Sequence, residues 1–194
     1  DLDGIGVDAI NISGDASSAG ANVMNVLSGQ TVTISDALGH GLTISSDGSV
    51  PATGAVADTA EVLTLNVAVN AGQTLTVSDY ETLTINTSGT ATSLAFVGGA
   101  TTDVTLNGGT TLALTAATAK SINAAAYTGA ITHTATSAQA GTVTYGTGND
   151  SVTATTAQTL VLDGGAGDDT LVLPADADGI TFSNFEVITQ ATVT

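Results

Sequence analysis

Two glycine-rich segments near the end of the chain combine the residue types that bind a metal ion. Residues 145–152 read Tyr-Gly-Thr-Gly-Asn-Asp-Ser-Val, and residues 164–171 read Gly-Gly-Ala-Gly-Asp-Asp-Thr-Leu. Both follow the pattern G-G-x-G-x-D-x-U-x, in which U is apolar. Its glycines form a turn that directs main-chain carbonyls and one carboxylate at Ca²⁺, and its apolar residue begins a strand. These segments therefore predict a calcium site.

The predicted ligands are aligned by the spacing of the two segments. Asp150 and Asp169 occupy equivalent positions 19 residues apart. Because stacked strands lie about 4.8 Å apart, two such carboxylates reach one ion held between two coils. The rest of the predicted site consists of main-chain oxygens and neighbouring acids from Gly146, Thr147, Gly148, Asp163, Gly165, Ala166, Gly167 and Asp168. Asp176 and Asp178 are expected to be solvated, and two ordinary Gly-Asp turns without a metal are the alternative.

The type of ligand selects the ion. Hard oxygen ligands without His or Cys favour Ca²⁺ over zinc or copper. With few carboxylates per ion, the affinity is expected in the extracellular range of about 10⁻⁴–10⁻³ M. Such a site fills outside a cell and empties inside it, so calcium couples folding to export.

The charge balance excludes several classes of partner. The chain has one basic residue, Lys120, and eighteen acids, for a formal charge of −17. Nucleic acid and anionic membranes are poor partners because both require basic patches. No stretch approaches the roughly 18 apolar residues of a membrane helix, so we expect no membrane insertion. Cysteine is absent, which excludes disulfides and thiolate metal sites.

Short strand signals recur along the chain and predict the fold. Triplets with apolar outer residues lie about nine to eleven residues apart in many places, which leaves room for one strand and one turn. They are residues 32–34, 42–44, 63–65, 83–85, 104–106, 112–114, 160–162 and 171–173. Two such units make one coil of roughly 18 to 21 residues. With few aromatics to fill a thick core, we predict an all-β, right-handed parallel β-solenoid; an antiparallel sandwich is the alternative.

Longer echoes support stacked coils. Residues 29–36 return as residues 72–79, about two coils later, and residues 60–66 return as residues 80–86, one coil later. Residues 184–188, Asn-Phe-Glu-Val-Ile, are a later relative. We predict three regions: an irregular cap or junction over 1–28, an Ala/Thr/Gly-rich solenoid over 29–144, and calcium-binding coils with a C-terminal cap over 145–194. Residues 48–58 are expected to form an exposed loop.

The glycine-Asp segments resemble the RTX (repeats-in-toxin) family of bacterial proteins, over about 28 residues from Tyr145 to Val172. The resemblance implies type I secretion, a parallel β-roll and bound Ca²⁺. The small-residue coils are similar in composition to RTX-type surface-layer proteins and large secreted adhesins. This implies a secreted, cell-surface building block that self-associates into a lattice or filament or joins other surface components. The start at Asp1 without a signal-peptide pattern suggests a processed chain or a fragment.

An ice- or ligand-binding adhesin segment is a second interpretation. Residues 146–150, Gly-Thr-Gly-Asn-Asp, match the turn of calcium-dependent antifreeze solenoids in giant RTX adhesins, but Ala166 and Asp168 replace Thr147 and Asn149 in the next coil. Alternating Thr runs at residues 31, 74 and 82 offer another flat face.

Catalysis is not expected. His40 and His133 have neither a G-x-S-x-G elbow nor an H-E-x-x-H motif around them. A polysaccharide-acting β-helix enzyme needs a carboxylate pair, and nothing in the sequence singles one out.

Overall fold

The chain forms a parallel β-solenoid in the part that the structure describes. This computed structural model describes residues 9–12, 22–36, 41–46, 61–68, 74–99, 101–135, 141–155 and 159–191. Every strand pairing within them is parallel, so the predicted fold class is confirmed and the sandwich alternative is wrong. None of these residues belongs to a helix that could span a bilayer.

Each coil contributes one strand to each of two facing sheets. The first sheet contains, in spatial order, β1 (Ala9–Ile12), β3 (Thr31–Ile34), β5 (Val62–Val67), β7 (Thr82–Thr87), β9 (Asp103–Asn107), β11 (Ser121–Asn123), β13 (Gly141–Thr144), β15 (Leu160–Asp163) and β17 (Ile180–Ser183). The second contains β2 (Asn22–Asn25), β4 (Leu42–Ser45), β6 (Leu75–Ser78), β8 (Ser93–Val97), β10 (Leu112–Thr118), β12 (Ile131–Ala135), β14 (Ser151–Ala154), β16 (Thr170–Leu173) and β18 (Val187–Gln190).

The core is a set of stacked aliphatic columns between the sheets. All eight predicted triplets lie in strands, and the two outer residues of each are buried, because alternate residues of a strand face the same side. One column of register partners in the first sheet runs through Leu63, Leu83, Val104, Ile122, Val143 and Leu162. These aliphatic side chains form a continuous buried column between the sheets.

Coil length is set by the corners. Side chains that meet across neighbouring coils are 19, 20 or 21 residues apart at most positions. Thr33 and Asn66 are 33 residues apart, because residues 47–60 lengthen the coil between them. Residues 47–60 lie outside the described residues, and so does the loop predicted over 48–58. The echo of residues 60–66 in residues 80–86 is confirmed as a one-coil repeat, since Leu63 pairs with Leu83.

The longer echo is not a two-coil repeat. Within residues 29–36 lies β3 of the first sheet, whereas the described part of residues 72–79 contains β6 of the second sheet. The prediction of about two coils is therefore wrong: the extra residues between β4 and β5 lengthen one coil, so the same sequence falls in opposite sheets. β1 and β2, inside the predicted cap over 1–28, pair with β3 and β4.

Candidate metal centre at the glycine corner

The two glycine-Asp segments form corners of consecutive coils, where the chain passes from the first sheet to the second. We call residues 145–150, 164–169 and 184–186 the acidic corner; they connect β13 to β14, β15 to β16 and β17 to β18. Main-chain hydrogen bonds join them: Ala166 N–H donates to Gly146 O over 2.9 Å, and Gly164 N–H donates to the Ser183 carbonyl over 3.0 Å. The turns therefore lie directly on one another.

Glycine is required in these turns by backbone shape and by space. Gly165 and Gly167 have φ of 88° and 135°, in the left-handed region that side chains disfavour. A methyl group on Gly146 would collide with the Tyr127 carbonyl, and one on Gly148 would collide with the Gly129 main chain. The repeated glycines thus allow successive turns to stack at the spacing of the strands.

The acids of the corner form a ladder from coil to coil. Asp150 Oδ1 accepts a hydrogen bond from Ile131 N–H over 2.6 Å. Asp169 Oδ1 accepts one from Asp150 N–H over 2.7 Å, and Glu186 Oε2 accepts one from Asp169 N–H over 2.7 Å. Hydrogen bonds to a carboxylate are among the stronger ones in proteins. Each acid thus holds the start of a strand in the preceding coil.

The second carboxylate oxygens of Asp150 and Asp169 differ. Asp150 Oδ2 accepts a hydrogen bond from Gly146 N–H over 3.3 Å. One coil later the equivalent donor, Gly165 N–H, instead donates to Asp163 Oδ1 over 3.2 Å. Asp169 Oδ2 consequently has no hydrogen-bond partner among the described residues, although Asp169 is fully buried. A buried acceptor left in this state costs about 1–3 kcal/mol, and more if it is charged.

The electrostatic environment disfavours negative charge on both buried acids. Burial raises the pKa of Asp150 to about 6, aided by the charge of Asp169 and opposed by hydrogen bonds from Ile131 and Gly146. Burial likewise raises the pKa of Asp169; the Asp150 N–H lowers it, and the charges of Glu186, Asp168 and Asp163 raise it further. A carboxylate in such a place is stabilised by a proton or by a cation.

The remaining predicted ligands lie in the turns or at their rim. The Gly146 carbonyl accepts the Ala166 N–H, and Thr147 N–H donates to the Tyr127 carbonyl over 2.9 Å, so these groups join coils. Asp168 is exposed, and its N–H donates to Asn149 Oδ1 over 3.1 Å.

Asp163 is the last residue of β15 and is joined to the two turns that follow it. Its Oδ1 accepts hydrogen bonds from Gly165 N–H and, over 2.6 Å, from Asn184 Nδ2. Asp176 and Asp178 form a separate exposed turn, in which Asp178 N–H donates to Asp176 Oδ1. They lie outside the acidic corner.

Sequence reasoning missed Glu186 and Asn184 as part of this site. Their segment was recognised only as a relative of the strand that begins near Glu81. A usable signal was present, because the trios Asp79-Tyr80-Glu81 and Asn184-Phe185-Glu186 have the same chemistry. In both, the first residue has positive φ, the aromatic packs against the core and the Glu binds the preceding coil.

The donor set fits a hard cation that accepts main-chain oxygens. No group of three or more His, Cys, Asp or Glu side chains within the described ranges is arranged to hold a metal ion. An ion at Asp169 Oδ2 would therefore depend on main-chain carbonyls and water for its other ligands, as Ca²⁺ readily does. Asp169 Oδ2 is the one buried side-chain oxygen of the described residues that has no hydrogen-bond partner.

His133, the histidine that the structure describes, does not join the corner as a ligand. His133 lies in the core, 1% exposed, with Nδ1 2.7 Å from Tyr145 Oη. Its register partners are Leu114 and Val152, so it occupies a position in an otherwise aliphatic column. His40 lies outside the described residues.

Comparison of the chain with protein-family models, curated proteins and solved structures found no match in any of the three.

Proposed function

We propose that this chain is a structural calcium-binding module of a secreted bacterial cell-surface protein, most like a surface-layer or matrix subunit. The observation that carries the proposal is Asp169 Oδ2, a buried carboxylate oxygen without a partner in a glycine corner. Type I secretion and membership of the RTX proteins belong to the same proposal, on the motif alone. We propose no catalytic role.

Calcium would act on the stability of the stacked coils. The chain carries a formal charge of −17, and its one basic residue, Lys120, is paired with Asp103 over 2.7 Å at the surface. The acidic corner therefore has no basic side chain to balance it. A bound dication supplies that balance and stabilises the folded state by RT ln(1 + [Ca²⁺]/Kd), about 1.4 kcal/mol at ten times Kd.

The last described coil, β17 and β18, exposes apolar side chains that self-association would cover. Phe182 and Ile188 are 38% and 47% exposed, although their register partners Leu162 and Leu171 in the preceding coil are fully buried. The outer edges of β17 and β18 also have no paired strand among the described residues. A second copy stacked end to end would cover these side chains and continue both sheets.

The direct test is calcium binding with a luminescent substitute. Tyr145 is buried next to Gly146, so it can sensitise Tb³⁺ bound in the corner. We expect Tb³⁺ emission on excitation of tyrosine, competition by millimolar Ca²⁺, and loss of emission in Asp169→Asn. Mg²⁺ at equal ionic strength controls for general screening. Wild-type protein that neither binds Tb³⁺ nor gains stability in 10 mM Ca²⁺ would contradict the proposal.

Assembly separates a lattice subunit from a monomeric segment. A lattice or matrix subunit is expected to form sheets or filaments in electron micrographs when Ca²⁺ is added and to disperse in chelator. A segment of an adhesin is expected to stay a monomeric rod that only becomes more stable.

A second candidate, an adhesin segment that binds ice or another ordered surface, is favoured by the outer face of the first sheet. Thr64, Thr84 and Thr105 are register partners there. Beside them Asn86 Nδ2 donates to Asn66 Oδ1 and Asn107 Nδ2 donates to Asn86 Oδ1, each over 2.9 Å. Thermal hysteresis that is lost in Thr84→Lys but kept in Thr134→Lys, on the second sheet, would support this candidate; no hysteresis in wild-type protein excludes ice.

A further inference from the structure

We infer that the cation of the acidic corner lies between the turn of residues 164–169 and the turn of residues 184–186, with Glu186 as its second carboxylate. The ion would then fasten β17 and β18, the last coil described, to the rest of the solenoid. This inference rests on the proposed function. It differs from the sequence prediction, which placed the ion between the two glycine-Asp turns and did not include Glu186.

The two oxygens of the Asp169 carboxylate point toward different coils. Oδ1 accepts the N–H of Asp150 in the preceding coil. The open oxygen, Oδ2, is 2.9 Å from the point where a Cβ on Gly164 would lie. The same point is in collision distance of the main-chain carbonyl oxygen of Asn184, in the following coil. Asp169 Oδ2 and Asn184 O therefore both lie close to one point beside Gly164, in a space too small for any side-chain atom.

The backbone of Asn184 is held in an uncommon conformation beside this space. Its φ is 56°, in the left-handed region. Its side chain donates to Asp163 Oδ1 over 2.6 Å, which fixes the turn against the preceding coil. The Asn184 carbonyl is thus a preorganised main-chain oxygen of the kind that completes calcium sites.

The surrounding charge requires compensation on this side. Glu186 is the first of the acids whose charge raises the pKa of Asp169, followed by Asp168 and Asp163. The only Lys or Arg of the chain, Lys120, is bound to Asp103 away from the corner. Three further acids thus act on the Asp169 carboxylate without any basic partner, and a dication at Asp169 Oδ2 relieves the repulsion among these charges.

The turn of residues 145–150 offers no carboxylate oxygen that is without a hydrogen bond. Both Asp150 oxygens accept main-chain hydrogen bonds, from Ile131 and Gly146. An ion between the two glycine turns would share Asp150 oxygens that already accept main-chain hydrogen bonds, whereas Asp169 Oδ2 accepts none. The Glu186 side is therefore the favoured place.

The chain contains a matched control for Glu186. Glu81 Oε2 accepts the N–H of Glu61 over 2.9 Å, and the N–H groups of Glu81 and Thr82 donate to the Glu61 carbonyl. Glu186 makes the same three contacts with Asp169. At the Glu81 corner, the residue in the place of Asp169 is Glu61. Glu61 is only half-buried, so this corner has no equivalent of the buried Asp169 carboxylate. A purely structural role would make the two glutamates equivalent.

The experiment compares Ca²⁺ affinity, by calorimetry on the full chain, in wild type, Glu186→Gln, Glu81→Gln and Asp150→Asn. Gln keeps the hydrogen-bond acceptor and removes the charge. We expect roughly a tenfold or larger weakening in Glu186→Gln, since calcium affinity follows ligand charge, and less than about a twofold change in Glu81→Gln and Asp150→Asn. Hydrogen exchange should show that Ca²⁺ protects the amides of residues 180–190 in wild type and not in Glu186→Gln.

Two failures are distinguishable. Wild-type protein without calcium affinity would overturn the proposed function and this inference together. Wild-type affinity that falls in Asp150→Asn and stays unchanged in Glu186→Gln would keep the proposed function and place the ion between the two glycine turns, which overturns the inference. Equal weakening in Glu186→Gln and Glu81→Gln would show a general charge effect and would overturn it as well.

Discussion

Asp150 and Asp169 are linked through the backbone of one and the side chain of the other: the Asp150 N–H donates to Asp169 Oδ1 over 2.7 Å across one coil. Their carboxylates do not simply face each other, as the spacing alone suggests. Each carboxylate accepts a hydrogen bond from a main-chain N–H of the preceding coil, so both acids stabilise the stacked coils before any ion binds.

These hydrogen bonds predict that substitution of Asp150 by alanine and by asparagine changes the stability of the folded state by different amounts. Asp150→Ala removes the acceptor of the Ile131 and Gly146 N–H groups and leaves them buried, which costs about 1–3 kcal/mol for each unsatisfied group. Asp150→Asn keeps one oxygen as an acceptor. Urea unfolding in chelator should therefore show Asp150→Ala clearly less stable than Asp150→Asn. Equal stability of the two variants would contradict the ladder.

The fold was predictable from the sequence because it depends on the local alternation of apolar and polar residues along each strand. The site was only partly predictable. The pattern of apolar triplets such as residues 83–85 is set by which face of a strand is buried, and this holds in any sequence context. Contacts between coils depend on coil length, which the corners decide. The echo of residues 29–36 was misplaced for that reason, and Glu186 was missed because its partner, Asp169, lies in another coil.

Filling the space beside Asp169 should abolish calcium binding. A methyl group in Gly164→Ala would meet the Asn184 carbonyl and approach Asp169 Oδ2. We expect lost Ca²⁺ response and a lower melting temperature. Gly29→Ala is the control: Gly29 has φ of 84° but no atom near its Cβ position, so it carries backbone strain of about 1 kcal/mol without blocking the corner. Retained calcium affinity in Gly164→Ala would show that the ion lies elsewhere.

The pKa of Asp150 predicts that the calcium-free protein is stabilised by acid. Its folded pKa is about 6 against an ordinary value of 3.8, because burial disfavours the charge. The folded state thus binds the proton more tightly than the unfolded state. The resulting stabilisation is fully present below the unfolded pKa and is lost as pH rises through about 6, with an upper bound of about 3 kcal/mol.

Unfolding in chelator at pH 5 and pH 7.5 measures this effect. We expect the wild type to be more stable at pH 5 and Asp150→Asn to show a smaller difference, since it cannot titrate there. A wild type that is less stable at pH 5 than at pH 7.5, with the variant unchanged, would contradict the raised pKa.

The buried His133–Tyr145 pair predicts a strongly non-additive double-mutant cycle. His133 Nδ1 lies 2.7 Å from Tyr145 Oη, and both side chains are about 1% exposed. Tyr145→Phe removes the hydroxyl and leaves an imidazole nitrogen in the core without this bond, at a cost of about 1–3 kcal/mol. His133→Leu leaves the hydroxyl buried instead. The double variant replaces both partners by apolar groups in a column already lined by Leu114 and Val152, so its cost should be well below the sum of the single costs. Urea unfolding of the four proteins measures the coupling, and additive costs would show that the two side chains contribute independently.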